Sequence, residues 1–180
     1  MQARTAELLT FLDRHHRELR QALDAVPADR RERHPEAGRW SVANVVEHLG
    51  IVETNVTRVL TARTGEARLK GLGPAHATPV VDDAEVARYL DRERRLTSGD
   101  ASQPKSGLAL DAAWSRLDAA RQLTKGLVHD VDGLDVSAVV FPHAALGTLN
   151  FYQWIAFLGG HESRHRLQIQ EIDRQLTPAP

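Results

Sequence analysis

Four stretches of the chain place apolar residues at three- and four-residue steps, the spacing of one face of an α-helix. In the first, Leu8, Leu12, His15, Leu19, Ala22 and Val26 share a stripe while Arg, Asp and Glu fill the other faces. This predicts a helix from about Thr5 to Ala25, ended by Pro27. The second opens at Trp40-Ser41, with Ser41 as N-cap and Trp40 able to pack back on the first turn. Its stripe is Val42, Val45, Val46, Leu49, Val52, Val56, Val59 and Leu60. The third runs from about Leu110 to Val128, with Ala113, Trp114, Leu117, Ala120, Thr124 and Leu127 on its face. The last starts near Thr148 or Leu149, after Gly147, and runs to about Gln175, burying Trp154, Leu158, Ile169 and Ile172.

The connections read differently. Thr64 to Asp82 is a long loop punctuated by Gly65, Gly71, Gly73, Pro74 and Pro79. Asp82 with Glu85 resembles a capping box and starts a short helix over Asp83 to Leu96. Thr97 to Gly107 has a linker's composition and is expected to be mobile. Val136 to Pro142 is β-branched and apolar, with no partner strand evident. Long helices and strand-poor connections give an all-α, four-helix bundle, and a chain of 180 residues reads as one domain over 1–180.

Composition excludes more than it suggests. Formal net charge is -1, with no basic block, so neither nucleic acid nor an anionic membrane is an expected partner. The chain has no cysteines, which excludes disulfides, thiolate metal ligands and a Cys nucleophile. Any metal must be held by His, Asp, Glu or backbone oxygen, and any thiol must arrive as a small molecule. Met1-Gln2-Ala3-Arg4-Thr5 leads into a charged helix with no apolar leader, and no apolar run reaches the roughly 20 residues of a membrane span. A cytoplasmic location is the expectation.

The chemistry concentrates in His161-Glu162-Ser163-Arg164-His165. Residues four apart lie about 40° apart on a helix, so both imidazoles leave one face. That face also carries Trp154, Leu158, Ile169, Ile172 and Leu176. A buried imidazole needs a partner for each ring nitrogen, and one metal ion serves two rings at once. A third ligand is expected from another helix. His48 fits best, lying mid-helix at the edge of an apolar stripe between Val45 and Val52. Three neutral imidazoles suit zinc, nickel, iron or copper and leave a coordination position open for water or substrate.

The same residues match the zincin protease motif literally, with Glu162 as base. That reading fails here. Fifteen residues follow His165, Gln168 and Glu171 stand where a metzincin needs Gly and His, and no sheet edge is evident to hold a peptide. Glu162 lies about 60–100° round the helix from the pair, as a neighbour of the ligands or a solvated residue. His143, in the loop before the last helix, can overhang the site as a proton shuttle. Tyr152 can donate a hydrogen bond to a substrate. His15 falls on the apolar face of the first helix, where core packing is its expected role.

Trp40-Ser41-Val42-Ala43-Asn44-Val45-Val46-Glu47-His48-Leu49 resembles the W-S-x-x-x-x-x-x-H-L segment of the DinB-like (DinB/YfiT) superfamily. His161-x-x-x-His165-x-x-Gln168-Ile169 resembles its H-x-x-x-H-x-x-Q-I segment, and Leu146-Gly147-Thr148-Leu149-Asn150 is similar in style. The resemblance implies a four-helix bundle holding one divalent metal, usually zinc or nickel, on three histidines that map onto His48, His161 and His165. It also implies frequent homodimers. Relatives include metal-dependent transferases and isomerases that use small thiols such as bacillithiol or mycothiol.

The expected function is therefore a metalloenzyme. A divalent ion on His48, His161 and His165 activates a small thiol or water toward an electrophilic small molecule, with Glu162, His143 and Tyr152 as candidate catalytic residues. One alternative is a non-catalytic bundle crosslinked by metal, with a stress-related or ligand-binding role. Another is a metal-free helical dimerisation module whose three histidines are packed in the core.

Overall fold

The computed structural model describes residues 1–75 and 99–177. Among them are four long helices: α1 (Ala3–Asp24), α2 (Val42–Leu69), α3 (Leu110–Asp130) and α4 (Phe151–Leu176). The four apolar stripes made these helices, and the architecture is the expected bundle. The short helix anticipated over Asp83 to Leu96 lies outside the described residues. No described helix is long and apolar enough to cross a membrane.

Two apolar clusters define the path of the chain. One joins the start of α1 (Leu8, Leu12), the end of α2 (Val56, Leu60), the end of α3 (Leu127, Val128) and the start of α4 (Phe151, Ile155). The other joins the opposite ends: Leu19 and Leu23, Val42 and Val46, Leu110 and Leu117, Ile169 and Ile172. So α1 and α4 run in one direction, and α2 and α3 run in the other. α2 packs mainly on α3, and α1 on α4. A parallel pair cannot be joined by a tight turn, which is why a long crossover separates α2 from α3.

Three expectations about the connections are corrected. α2 does not end at Thr64 but continues to Leu69. Thr64 is buried and Ala67 packs on the core, so tertiary contact outweighs the ~1 kcal/mol that a helical Gly65 costs. Second, the stretch expected to lack a partner contributes strand β1 (Val140–His143). β1 pairs antiparallel with β2 (Gly147–Asn150), Phe141 opposite Leu149 and His143 opposite Gly147. Gly147 closes this hairpin at φ +83°, a conformation that favours glycine. Third, Thr148 and Leu149 consequently belong to β2, and α4 begins two residues later. Its N-cap is Asn150, whose Oδ1 accepts from Gln153 N at 2.9 Å while Gln153 Oε1 accepts from Asn150 N at 2.9 Å.

Residues 99–107, the described part of the segment with a linker's composition, are docked on α2. They contain a 3-10 turn, Asp100–Ser102, and Glu47 Oε1 accepts from the backbone N–H of Lys105 (3.2 Å) and Ser106 (2.8 Å).

Candidate metal centre

α4 delivers His161 and His165 to the bundle interior one turn apart, and α2 delivers His48 from the facing side. The α2 capping box fixes where that helix starts: Asn44 N donates to Ser41 Oγ at 3.2 Å, and Ser41 N donates to Asn44 Oδ1 at 3.1 Å. His48, two turns in, is 4% exposed despite its edge position in the stripe. One ring nitrogen from each of the three histidines lies within 4.8 Å of the other two. His161 Nε2 is 3.0 Å from His165 Nε2 and 3.4 Å from His48 Nε2.

The remaining ring nitrogens show why these atoms converge. His48 Nδ1–H donates to the Ser102 carbonyl at 2.7 Å. His165 Nδ1–H donates to Gln168 Oε1 at 2.7 Å. Each bond places the proton on Nδ1 and leaves an Nε2 lone pair aimed inward. A neutral His161 donates from Nε2 to one of these at most, so at least one inward Nε2 lone pair is left without a donor among the three rings. A cation between them satisfies all three rings.

The spacing fits as well. Ligand nitrogens about 2.1 Å from a metal, at angles of about 90–110°, stand about 3.0–3.4 Å apart. Burial pushes the His48 pKa below its ordinary value, with the Ser102 hydrogen bond acting in the opposite direction. Burial pushes His161 well below its ordinary value, and the neighbouring His165 and His48 rings add to the shift. Both favour the neutral form that binds metal. As a residue His161 is intermediate in exposure, whereas His48 and His165 are buried.

Aromatic rings flank the centre. Phe157 stacks on His161 with centroids 5.1 Å apart, and Trp40 lies 4.9 Å from the His48 ring. Of the three candidate catalytic residues, His143 is the one placed nearby, 4.8 Å edge-on to Phe157. His143 Nδ1 accepts from the backbone N–H of Ala145 (3.1 Å) and Leu146 (3.2 Å), so the proton of the neutral ring sits on Nε2. Burial lowers its pKa.

Tyr152 is engaged elsewhere. Its hydroxyl accepts from Val136 N (3.2 Å) and Arg4 Nη1 (3.1 Å) and donates to the Leu134 carbonyl (3.3 Å), tying the loop before the hairpin to α4. Burial raises its pKa. His15 packs edge-on to Phe11 at 4.4 Å, as a core residue.

Glu162 turns to a second polar cluster. Arg121, on α3, is wholly buried and reaches Glu53 through Nε (2.6 Å) and Nη2 (2.8 Å). Its Nη2 also lies 3.1 Å from Glu162 Oε2, and its Nη1 donates to the Leu12 carbonyl at 3.1 Å. Burial opposes the guanidinium charge, but the carboxylates of Glu162 and Glu53 outweigh it and raise the pKa. Glu162 Oε1 is 2.8 Å from His16 Nδ1, and His16 Nε2 is 3.2 Å from Asp118 Oδ1.

This network joins all four helices between the two apolar clusters, and the helical periodicity alone does not reveal it. Its trace was Glu53 and Arg121 beside stripe positions, where a solvated helix face would place them at a distance. Charged residues that close to a core need each other.

Comparison with known proteins agrees with the geometry. The model of the DinB superfamily matches residues 12–169. A Bacillus subtilis (strain 168) relative, the uncharacterized protein YuaE, is 27% identical over 146 residues, covering 81% of this chain and 84% of its own. The crystal structure of TT2238, a four-helix bundle protein, superposes with a TM-score of 0.57 at 20% identity, covering 93% of this chain and 98% of that one. At that identity the likeness speaks to the fold.

Proposed function

Because this chain belongs to the DinB superfamily and gathers three imidazole nitrogens within 4.8 Å of one another, we propose that it is a metal-dependent enzyme in which His48, His161 and His165 hold one divalent ion, zinc or nickel. The observation that carries this reading is the pair of outer hydrogen bonds, from His48 to Ser102 and from His165 to Gln168, which aim both Nε2 lone pairs inward. A divalent ion there supplies a Lewis acid that lowers the pKa of a small thiol or of water, making either a nucleophile toward an electrophilic small molecule.

The chain's own residues do the rest. Phe157 and Trp40 flank the centre with apolar surface. His143 holds a proton on Nε2 and is suited to donate it to a leaving group or a developing negative charge. Glu162 acts as a positioning residue, anchoring the helix turn between the two α4 histidines to Arg121 and His16.

Cobalt-loaded protein tests the open position. Adding a small thiol should produce a new thiolate-to-metal charge-transfer absorption that is absent from the His161→Ala variant. An unchanged spectrum across a panel of thiols, with no response to small anions, would contradict the enzyme reading. It would favour an ion that only crosslinks α2 to α4.

A further inference from the structure

On the outer side of Trp40 lies a cavity of about 530 Å³, lined by His34, Arg39, Trp40, Asn44 and Lys105 among others. Its two walls are held in place. The 34–39 turn is closed by His34 Nδ1–H donating to the Arg39 carbonyl (2.6 Å) and by Arg39 N donating to the Glu36 carbonyl (3.1 Å). The opposite wall, around Lys105, is pinned by the Glu47 carboxylate through the N–H groups of Lys105 and Ser106. Glu47 itself is 4% exposed and does not line the cavity.

The charges the walls carry are not used internally. Among the described residues, neither the Arg39 guanidinium nor the Lys105 ammonium has an acidic partner, and no carboxylate lines the cavity. Asn44 lines the cavity, and with its Oδ1 already accepting from Ser41 N its side-chain NH2 adds a hydrogen-bond donor. Trp40 supplies an apolar surface, and the His48 ring lies 4.9 Å from it.

We propose that this cavity binds the acidic group, carboxylate or phosphate, of a small molecule. Arg39 and Lys105 hold the charge, and Trp40 packs against the adjoining carbon skeleton. The bound molecule extends past Trp40 toward His48. That last step, which makes the acid part of the substrate, rests on the proposed metal-dependent reaction. Anion binding itself does not.

The test is isothermal titration calorimetry at low salt on the full chain stripped of metal by chelation, with inorganic phosphate and citrate as separate probes. The expected result is saturable binding of at least one of them at one site per chain. The double variant Arg39→Ala/Lys105→Ala should weaken it tenfold or more, and Arg58→Ala, an exposed residue outside the cavity, should leave it unchanged. All three positions are exposed, so the variants should fold, and circular dichroism checks this. No saturable binding of either acid overturns the proposal, as does equal affinity in the double variant. His161→Ala separates the two ideas: it should lose metal and keep the anion site.

Discussion

Gln168 fixes the orientation of His165: its side-chain oxygen accepts from His165 Nδ1 at 2.7 Å, one turn further along α4. The bond selects the tautomer whose Nε2 faces His161. Gln168→Ala should therefore weaken metal affinity about 10- to 100-fold with little change in the fold, the usual consequence of losing a partner behind a ligand. Competition with a chromophoric chelator measures it. An affinity equal to wild type would show that His165 is oriented by packing alone.

Arg121 offsets two buried carboxylates, those of Glu53 and Glu162. Arg121→Ala leaves both without their cation and should cost about 3–5 kcal/mol of stability. Replacing Arg121, Glu53 and Glu162 together by apolar residues of similar volume should cost less than the single change. Urea unfolding of the two variants checks the order. A single variant within about 1 kcal/mol of wild type would mean that the network contributes little.

At Gly159 α4 packs against Phe11 and His15 of α1. A Cβ there would collide with the Phe11 ring and lie 3.3 Å from His15 Cδ2. Gly159→Ala should destabilise by about 1–3 kcal/mol through overpacking against a ring. Adding Phe11→Leu should recover part of that loss. Thermal unfolding of the single and double variants reads both effects, and independent, additive losses would refute the contact.

Burial, with Arg14 adding to it, pushes His15 down from 6.5 to about 4, while Glu18 acts the other way. The folded value lies below the unfolded one. The neutral ring's contribution is therefore complete above about pH 6.5 and is lost as the pH falls toward 4. Acidification through this window should lower the melting temperature of the metal-free protein, and His15→Leu should reduce that slope. Parallel curves for the two proteins would contradict it.

The sequence disclosed what depends on periodicity. Each long stripe became a helix, and the i, i+4 spacing of His161 and His165 on an apolar face was enough to search for His48. What it concealed depends on contacts between distant residues. The hairpin is hidden in the sequence because Thr148 and Leu149, which pair with Pro142 and Phe141, also suit the start of a helix. The end of α2 is hidden too, because Gly65 looks like a breaker while Thr64 and Ala67 pack on the core. Helix geometry leaves Glu162 either a neighbour of the metal ligands or a solvated residue, and only the position of α3 shows it buried and paired with Arg121.

The central claim is that His48, His161 and His165 form one metal site, and elemental analysis of untagged protein tests it most directly. The account predicts near-stoichiometric zinc or nickel per chain, lost in His48→Ala and in His161→Ala. A protein that holds no metal and takes none up on titration would contradict it, as would a variant that keeps one tightly bound ion.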